Sequence, residues 1–108
     1  MLKLAYVGGL GMMAGPSAKH LTPHDVARVV RVHDRGAAGA QRDSFRADWD
    51  KHGAVRVASF DELVGEGDLD GVVVCAGKNG DDLKVIGELT GLLAKRCEGE
   101  PFILHLST

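Results

Sequence analysis

The chain has 108 residues, 44% of them hydrophobic and 26% charged, and its 13 basic and 15 acidic residues leave a formal charge of −2. This size and composition predict one globular domain, residues 1–108, without the basic run that would favour nucleic acid as a partner. No apolar stretch reaches the roughly 18 residues that a membrane span needs, and the two cysteines, Cys75 and Cys97, form no C-x-x-C pair. We therefore expect no membrane association and a reducing, cytoplasmic location.

Short apolar runs alternate with longer helical segments along the chain. The runs that predict buried strands are 2–7, 27–33, 54–58, 71–76 and 101–106. The segments that predict helices are 13–21, 40–51, 60–64 and 81–97, and the last carries an amphipathic stripe of Leu83, Ile86, Leu89, Leu93 and Cys97. This alternation predicts a Rossmann-like α/β fold: a doubly wound parallel sheet of order 3-2-1-4-5 with helices on both faces.

A cluster of glycines lies between the first predicted strand and the first predicted helix, in "VGGLGMMAGPSAKHL". Here Gly9, Gly11 and Ala14 fit G-x-G-x-x-G/A, in which the glycines permit a tight turn and a close approach of the backbone to a pyrophosphate. The start of the following helix would add free N–H groups and a partial positive charge. We predict a dinucleotide-binding turn made by Gly9, Leu10, Gly11, Met12 and Met13.

An acid at the end of the second predicted strand supports this interpretation. Asp34 closes "VVRVHD" about 20 residues after Ala14, where the fingerprint places a carboxylate that holds the adenosine ribose. The alternative is that the glycines only shape a loop and that Asp34 only starts a turn.

The glycine-rich segment resembles a signature of the β-hydroxyacid dehydrogenases, the group of 3-hydroxyisobutyrate and 6-phosphogluconate dehydrogenases. "GLGMMAGPSAKHL" is similar to G-L-G-x-M-G-x-P-M-A-x-x-L, and "HGAVRVASFDELV" is similar to G-A-x-x-x-x-S-x-x-E. The final Ser107 and Thr108 resemble the start of the S-T-V-S-P motif, which implies substrate binding by these two residues. The chain departs from the pattern at Ala14 and at Gly8, where the family has glycine and an aliphatic residue.

A second resemblance is to the glucose-fructose oxidoreductase-like (Gfo/Idh/MocA) dehydrogenases. "TPHDVARVVRVHDRG" and "FDELVGEGDLDGVVVCAG" are similar to that family, in which D-x-D-x-V leads into the fourth strand. Its T-P-N-x-x-H motif is replaced here by "AGKNGDD", and its E-K-P motif after the fifth strand is missing.

Both resemblances imply NAD or NADP as the cofactor. Asp34 favours NAD because it can accept a hydrogen bond from the ribose 2′-hydroxyl, whereas Arg35 could face the 2′-phosphate of NADP. Since a carboxylate repels a phosphate, NAD is the preferred expectation.

Further site residues are expected at the carboxyl ends of the other strands, which line the crevice of an open α/β sheet. After the fourth strand, Ala76, Lys78 and Asn79 are predicted to face cofactor ribose or nicotinamide, although "KNG" is also typical of a turn. Ser59 follows the third strand at the same edge.

The histidines and the tryptophan are interpreted as structural. His33 and His105 are expected to be packed and hydrogen-bonded in strands, and Trp49 is expected to anchor the second helix to the core. His20 and His24 lack a third ligand, so no metal site is predicted.

The resemblances imply that the acid/base residue and the substrate pocket belong to a second domain. We therefore expect this chain to bind the dinucleotide without turnover, as part of a longer dehydrogenase for a small hydroxy acid or sugar-like substrate, and assign it no catalytic residue. Self-association is left open. The alternatives are a stand-alone nucleotide-sensing module and an α/β domain whose glycine loop is purely structural.

Overall fold

The structure is a computed structural model that describes residues 2–8, 27–33, 47–51, 53–75 and 81–105. The strands in these ranges are β1 (Leu2–Val7), β2 (Ala27–His33), β3 (Val55–Val57), β4 (Gly71–Val74) and β5 (Phe102–His105). The helices are α1 (Phe60–Val64) and α2 (Asp81–Arg96), and residues 47–51 are also helical.

The strands form one parallel sheet in the order β3-β2-β1-β4-β5, which confirms the predicted topology. The predicted strands were one residue too long at both ends of β3, at Cys75 after β4 and at Pro101 before β5, while the predicted strand ends at 76 and 106 lie outside the described residues. The order places β1 at the centre of the sheet, between β2 and β4.

Each face of the sheet has its own hydrophobic cluster. Helices α1 and α2 cover one face, where the buried residues are Ala5, Val7, Leu63, Val64, Leu69, Val72, Val74, Val85, Leu89 and Leu93. On the opposite face the fully buried Trp49, in the helical segment 47–51, packs on Tyr6 with ring centroids 5.1 Å apart. This contact confirms the anchoring role of Trp49, and helices therefore lie on both faces.

Helix α2 buries a stripe that differs from the predicted one. Val85, Leu89 and Leu93 are buried, but Leu83 is 69% exposed, so its assignment to the stripe was wrong. At about 100° per residue, Leu83 lies about 120° around the helix from Leu89, which turns it towards solvent. In the described part of the chain, no helix is both long and apolar enough to cross a membrane.

Strand β2 contains an irregularity that directs its polar side chains. Leu4 pairs with Val29 but the next residue, Ala5, pairs with Arg31, so Val30 is an extra residue in β2. Val29 and Val32 consequently lie in one cluster while Arg31 contacts α1 on the other face. His33 follows Arg31 onto the α1 face, where it meets Phe60.

The D-x-D segment before β4 joins neighbouring elements at the amino ends of the strands. Asp68 accepts a hydrogen bond from Arg31 Nη2 at 2.6 Å, and this bond holds the pKa of Asp68 below its usual 3.8. Asp70 Oδ2 accepts from the Lys3 N–H at 2.7 Å, and the Asp70 N–H donates to the Lys3 carbonyl at 2.8 Å. The two carboxylates thus connect this segment to β2 and β1.

Gly67 lies in the turn after α1, where α2 approaches closely. Its φ is +86°, and a Cβ atom at this position would lie 1.9 Å from the Arg96 carbonyl oxygen. Because both the conformation and the close contact exclude a side chain, glycine is required here.

Candidate functional site

The carboxyl ends of the parallel strands meet at one edge of the sheet, which we call the carboxyl edge. Val7 at the end of β1 pairs with His33 of β2 on one side and with Val74 of β4 on the other. The three central strands therefore end side by side. In open α/β sheets, ligands bind outside this edge, at the point where the strand order reverses. The reversal occurs here between β1 and β4.

Gly8 marks the point where β1 leaves the sheet for the glycine-rich segment. Its N–H donates to the His33 carbonyl at 2.8 Å, while the Val7 carbonyl accepts from the Cys75 N–H at 2.9 Å. Gly8 has a φ of +97°, a conformation that residues with a Cβ rarely adopt. The β-hydroxyacid dehydrogenases have an aliphatic residue at this position. The backbone conformation of Gly8 explains why this chain has a glycine instead.

His33 is the buried polar side chain of the carboxyl edge. It is 8% exposed, and its ring centroid lies 4.7 Å from that of Phe60 at an interplanar angle of 58°. Its Nδ1 atom has no hydrogen-bond partner among the described residues. Leaving such an atom unpaired costs about 1–3 kcal/mol. The expectation that His33 is packed is confirmed, but within the described residues the expectation that it is hydrogen-bonded is wrong for Nδ1.

The sequence contained no signal for this unpaired nitrogen, because Phe60, which lies far along the chain, is the residue that covers the ring. His105, at the end of β5, is exposed, so the expectation that it is packed was wrong. It pairs with Val74 in the outermost strand on that side of the described sheet, where fewer elements can cover a side chain.

The predicted cofactor and substrate residues lie outside the described residues. They are Gly9, Leu10, Gly11, Met12, Met13, Asp34, Arg35, Ala76, Lys78, Asn79, Ser107 and Thr108. The structure does place the strand ends that precede them: Gly8 precedes Gly9, His33 precedes Asp34 and Cys75 precedes Ala76. Three of the predicted segments therefore start from neighbouring points on the carboxyl edge.

Ser59 is used in the structure to begin a helix. Its Oγ accepts a hydrogen bond from the Glu62 N–H at 3.2 Å and donates one to Glu62 Oε1 at 3.3 Å. The S-x-x-E segment is thus a variant of the capping box at the start of α1, in which Glu62 accepts from the Ser59 hydroxyl instead of the Ser59 backbone N–H. Helix initiation accounts for both residues.

A cavity of about 350 Å³ lies at the opposite, amino end of the sheet, between the segments 66–70 and 96–101. The acidic residues that line it are Glu66, Asp68, Asp70, Glu98 and Glu100, and Arg96 is the basic residue among them. This excess of negative charge would repel phosphate groups. The carboxyl edge is therefore the better candidate for a dinucleotide site.

The residues at the carboxyl edge are compatible with a dinucleotide. The backbone leaves the central strand in a glycine conformation, and a buried imidazole nitrogen next to it lacks a partner among the described residues. A pyrophosphate at the following turn would need only backbone N–H groups and little side-chain volume.

No protein-family model matches this chain, and no curated protein is a significant match. Solved structures do match. One from Sinorhizobium meliloti 1021, assigned as a myo-inositol dehydrogenase, has a TM-score of 0.64 at 19% identity, covering 97% of this chain and 27% of that one. The myo-inositol dehydrogenase of Corynebacterium glutamicum ATCC 13032 has a TM-score of 0.64 at 21% identity, covering 84% and 25%.

The scyllo-inositol dehydrogenase of Lactobacillus casei, solved with NAD(H) and scyllo-inositol, has a TM-score of 0.62 at 22% identity, covering 86% and 26%. At these identities the likeness establishes the Rossmann-like fold. The chain spans about a quarter of the length of these proteins. They agree with the second resemblance, and the first resemblance, to the β-hydroxyacid dehydrogenases, has no support among them.

Proposed function

We propose that this chain is the nicotinamide-dinucleotide-binding domain of an oxidoreductase similar to the Gfo/Idh/MocA dehydrogenases, working in a reducing cytoplasm. The observation that carries the proposal is the position of β1. It lies at the centre of a 3-2-1-4-5 sheet and is followed by Gly8, with φ +97°, directly before the sequence G-x-G-x-x-A. This is the place where such folds bind a pyrophosphate.

The residues of this chain would bind and orient the cofactor. The backbone N–H groups of residues 9–13 would donate to the pyrophosphate, and the Asp34 carboxylate would accept from the adenosine ribose hydroxyls. Ala76, Lys78 and Asn79 would contact the nicotinamide half. Hydride transfer is the chemistry that a bound nicotinamide supplies. Because of Asp34, we propose NAD over NADP.

For the substrate we propose a small, polyhydroxylated, sugar-like molecule, held by residues beyond this chain. This rests on the inositol dehydrogenases among the similar structures and on the quarter of their length that the chain spans. The substrate role of Ser107 and Thr108 depends on the first resemblance and stays a prediction.

Isothermal titration with NADH and NADPH tests the binding site. We expect the wild-type chain to bind NADH with sub-millimolar affinity. Gly11→Val should abolish this binding, because the added side chain blocks the approach of the pyrophosphate to the backbone. Asp34→Ala should weaken NADH binding about tenfold, as expected for the loss of a charge-assisted hydrogen bond, and should weaken NADPH binding less.

Gly91→Val is the matched control for Gly11→Val. Gly91 lies on α2, and a Cβ atom added there would meet no neighbouring element within 4 Å, so the same change should leave NADH binding unaltered. Absence of binding by the wild-type chain, or full binding by Gly11→Val, would contradict the proposal.

A further inference from the structure

His33 differs from the other inward-facing residues at its end of β2. Val29 and Val32 fill the cluster on the opposite face of the sheet with aliphatic side chains, whereas position 33 holds an imidazole that is 8% exposed. Phe60 packs against the ring, which restricts its orientation. A leucine would suit these apolar surroundings without leaving a polar atom unpaired.

Since Nδ1 has no partner among the described residues, its burial is an unfavourable feature of this part of the chain. Buried polar atoms in folded proteins almost always have a hydrogen-bond partner, and an exception suggests a role in function. His33 is the last residue of β2, and its carbonyl accepts from the Gly8 N–H at 2.8 Å, which places the residue at the carboxyl edge. A bound ligand at this edge can supply a partner for Nδ1.

We propose that Nδ1 of His33 forms a hydrogen bond with the adenosine half of the bound dinucleotide. The inference rests on the proposed function. His33 directly precedes Asp34, the residue expected at the adenosine ribose, and lies beside the residue that opens the pyrophosphate turn. A neutral imidazole nitrogen donates or accepts according to its tautomer, and the adenine and ribose of adenosine offer both donors and acceptors.

Three variants test the proposal through affinity: His33→Leu, His33→Asn and His33→Gln. Leucine keeps an apolar contact with Phe60 but removes the nitrogen. The amide of asparagine lies near the position of Nδ1. The amide of glutamine instead reaches the position of Nε2. We expect His33→Leu to bind NADH and ADP-ribose about tenfold more weakly, which is a typical effect of losing one buried hydrogen bond. His33→Asn should bind within about twofold of wild type, and His33→Gln should resemble His33→Leu.

The melting temperature without ligand separates this role from simple packing. If Nδ1 is kept for the ligand, His33→Leu should melt at the wild-type temperature or higher, since it removes an unpaired buried atom. A lower melting temperature with unchanged affinity for ADP-ribose would make His33 a packing residue and overturn the inference. Equal weakening by His33→Asn and His33→Leu would overturn it as well.

A second measurement needs no variant. The ¹⁵N resonance of His33 Nδ1 should shift when ADP-ribose is added to the wild-type chain, and an unchanged resonance at saturation would contradict the proposal.

The role of His33 and the proposed function can fail separately. If wild type binds NADH, Gly11→Val does not, and His33→Leu binds as well as wild type, only the role of His33 is wrong; if wild type binds no dinucleotide, both are wrong.

Discussion

Arg31 shows how much a single side chain contributes to this fold. From β2 its Nε donates to the Leu63 carbonyl at 2.7 Å and its Nη2 to the Val64 carbonyl at 3.3 Å, in the last turn of α1, where carbonyl groups lack partners within the helix. The same guanidinium forms an ion pair with Asp68 at 2.6 Å. The side chains of Arg31 and Asp68 are 19% and 39% exposed, so water screens the pair only in part.

The Arg31–Asp68 pair predicts a pH dependence of stability. The hydrogen bond from Arg31 holds the pKa of Asp68 below 3.8 in the folded chain. The stabilisation is therefore fully present above the unfolded value of 3.8 and is lost as the pH falls through the lower, folded pKa. We expect Asp68→Asn to lower the free energy of unfolding by about 1 kcal/mol at pH 7, and by less in acid, as measured by urea denaturation at both pH values.

Asp50→Asn is the matched control for this substitution. Asp50 pairs with Arg56 at 3.1 Å, but both side chains are about half exposed. An exposed pair contributes little, so the change should stay within about 0.5 kcal/mol at either pH. If Asp68→Asn and Asp50→Asn lowered the free energy of unfolding equally, the Arg31–Asp68 pair would not stabilise the fold more than an exposed pair does.

Among the elements, α1 depends most on its neighbours. It has five residues, and a helix this short is not stable by itself. Ser59 caps its start, Arg31 bonds its last carbonyls, and Arg96 of α2 donates to the Asp61 carbonyl at 2.8 Å. This support also places Phe60 against His33 at the carboxyl edge.

The capping box of α1 gives a prediction at this scale. Ser59→Ala removes the acceptor of the Glu62 N–H and should lower the free energy of unfolding by about 1 kcal/mol, measured by chemical denaturation. Ser59→Asp keeps an acceptor and should remain within about 0.5 kcal/mol of wild type. If alanine and aspartate were equivalent, the cap would not stabilise α1.

For the whole molecule, the sheet order would couple the proposed cofactor binding to folding. The carboxyl edge combines residues from β1, β2 and β4, which become neighbours only in the folded sheet. A dinucleotide should therefore bind the folded chain and not the unfolded one. At an NADH concentration about 100 times Kd, such linkage adds about 2.7 kcal/mol of stability.

We expect saturating NADH to raise the melting temperature of the wild-type chain by about 10 °C, measured by differential scanning fluorimetry. Gly11→Val should show no increase at the same concentration. A similar increase in this variant would mean that the ligand stabilises the chain through another site.

Within the described residues, the sequence by itself determined which segments form strands and helices and in what order; the predicted helix 13–21 lies outside them. The bounds of α1 were predicted as 60–64, and those of α2 to within one residue, because periodicity and capping residues act within a few positions of the chain. The parallel 3-2-1-4-5 sheet followed from the alternation of strands and helices, since few connections are compatible with it. The residues assigned to the cofactor site lie outside the described residues, and their roles remain predictions.

The tertiary structure alone decided which side chains meet. Arg31 and Asp68 are 37 positions apart, and the extra residue in β2 that directs Arg31 and His33 towards α1 is visible only in the pairing of β2 with β1. Likewise, the burial of His33, with no partner for Nδ1 in the described part of the chain, depends on where α1 packs. A local pattern specifies the conformation of a segment, but the surroundings of a side chain depend on contacts between segments that are distant in the sequence.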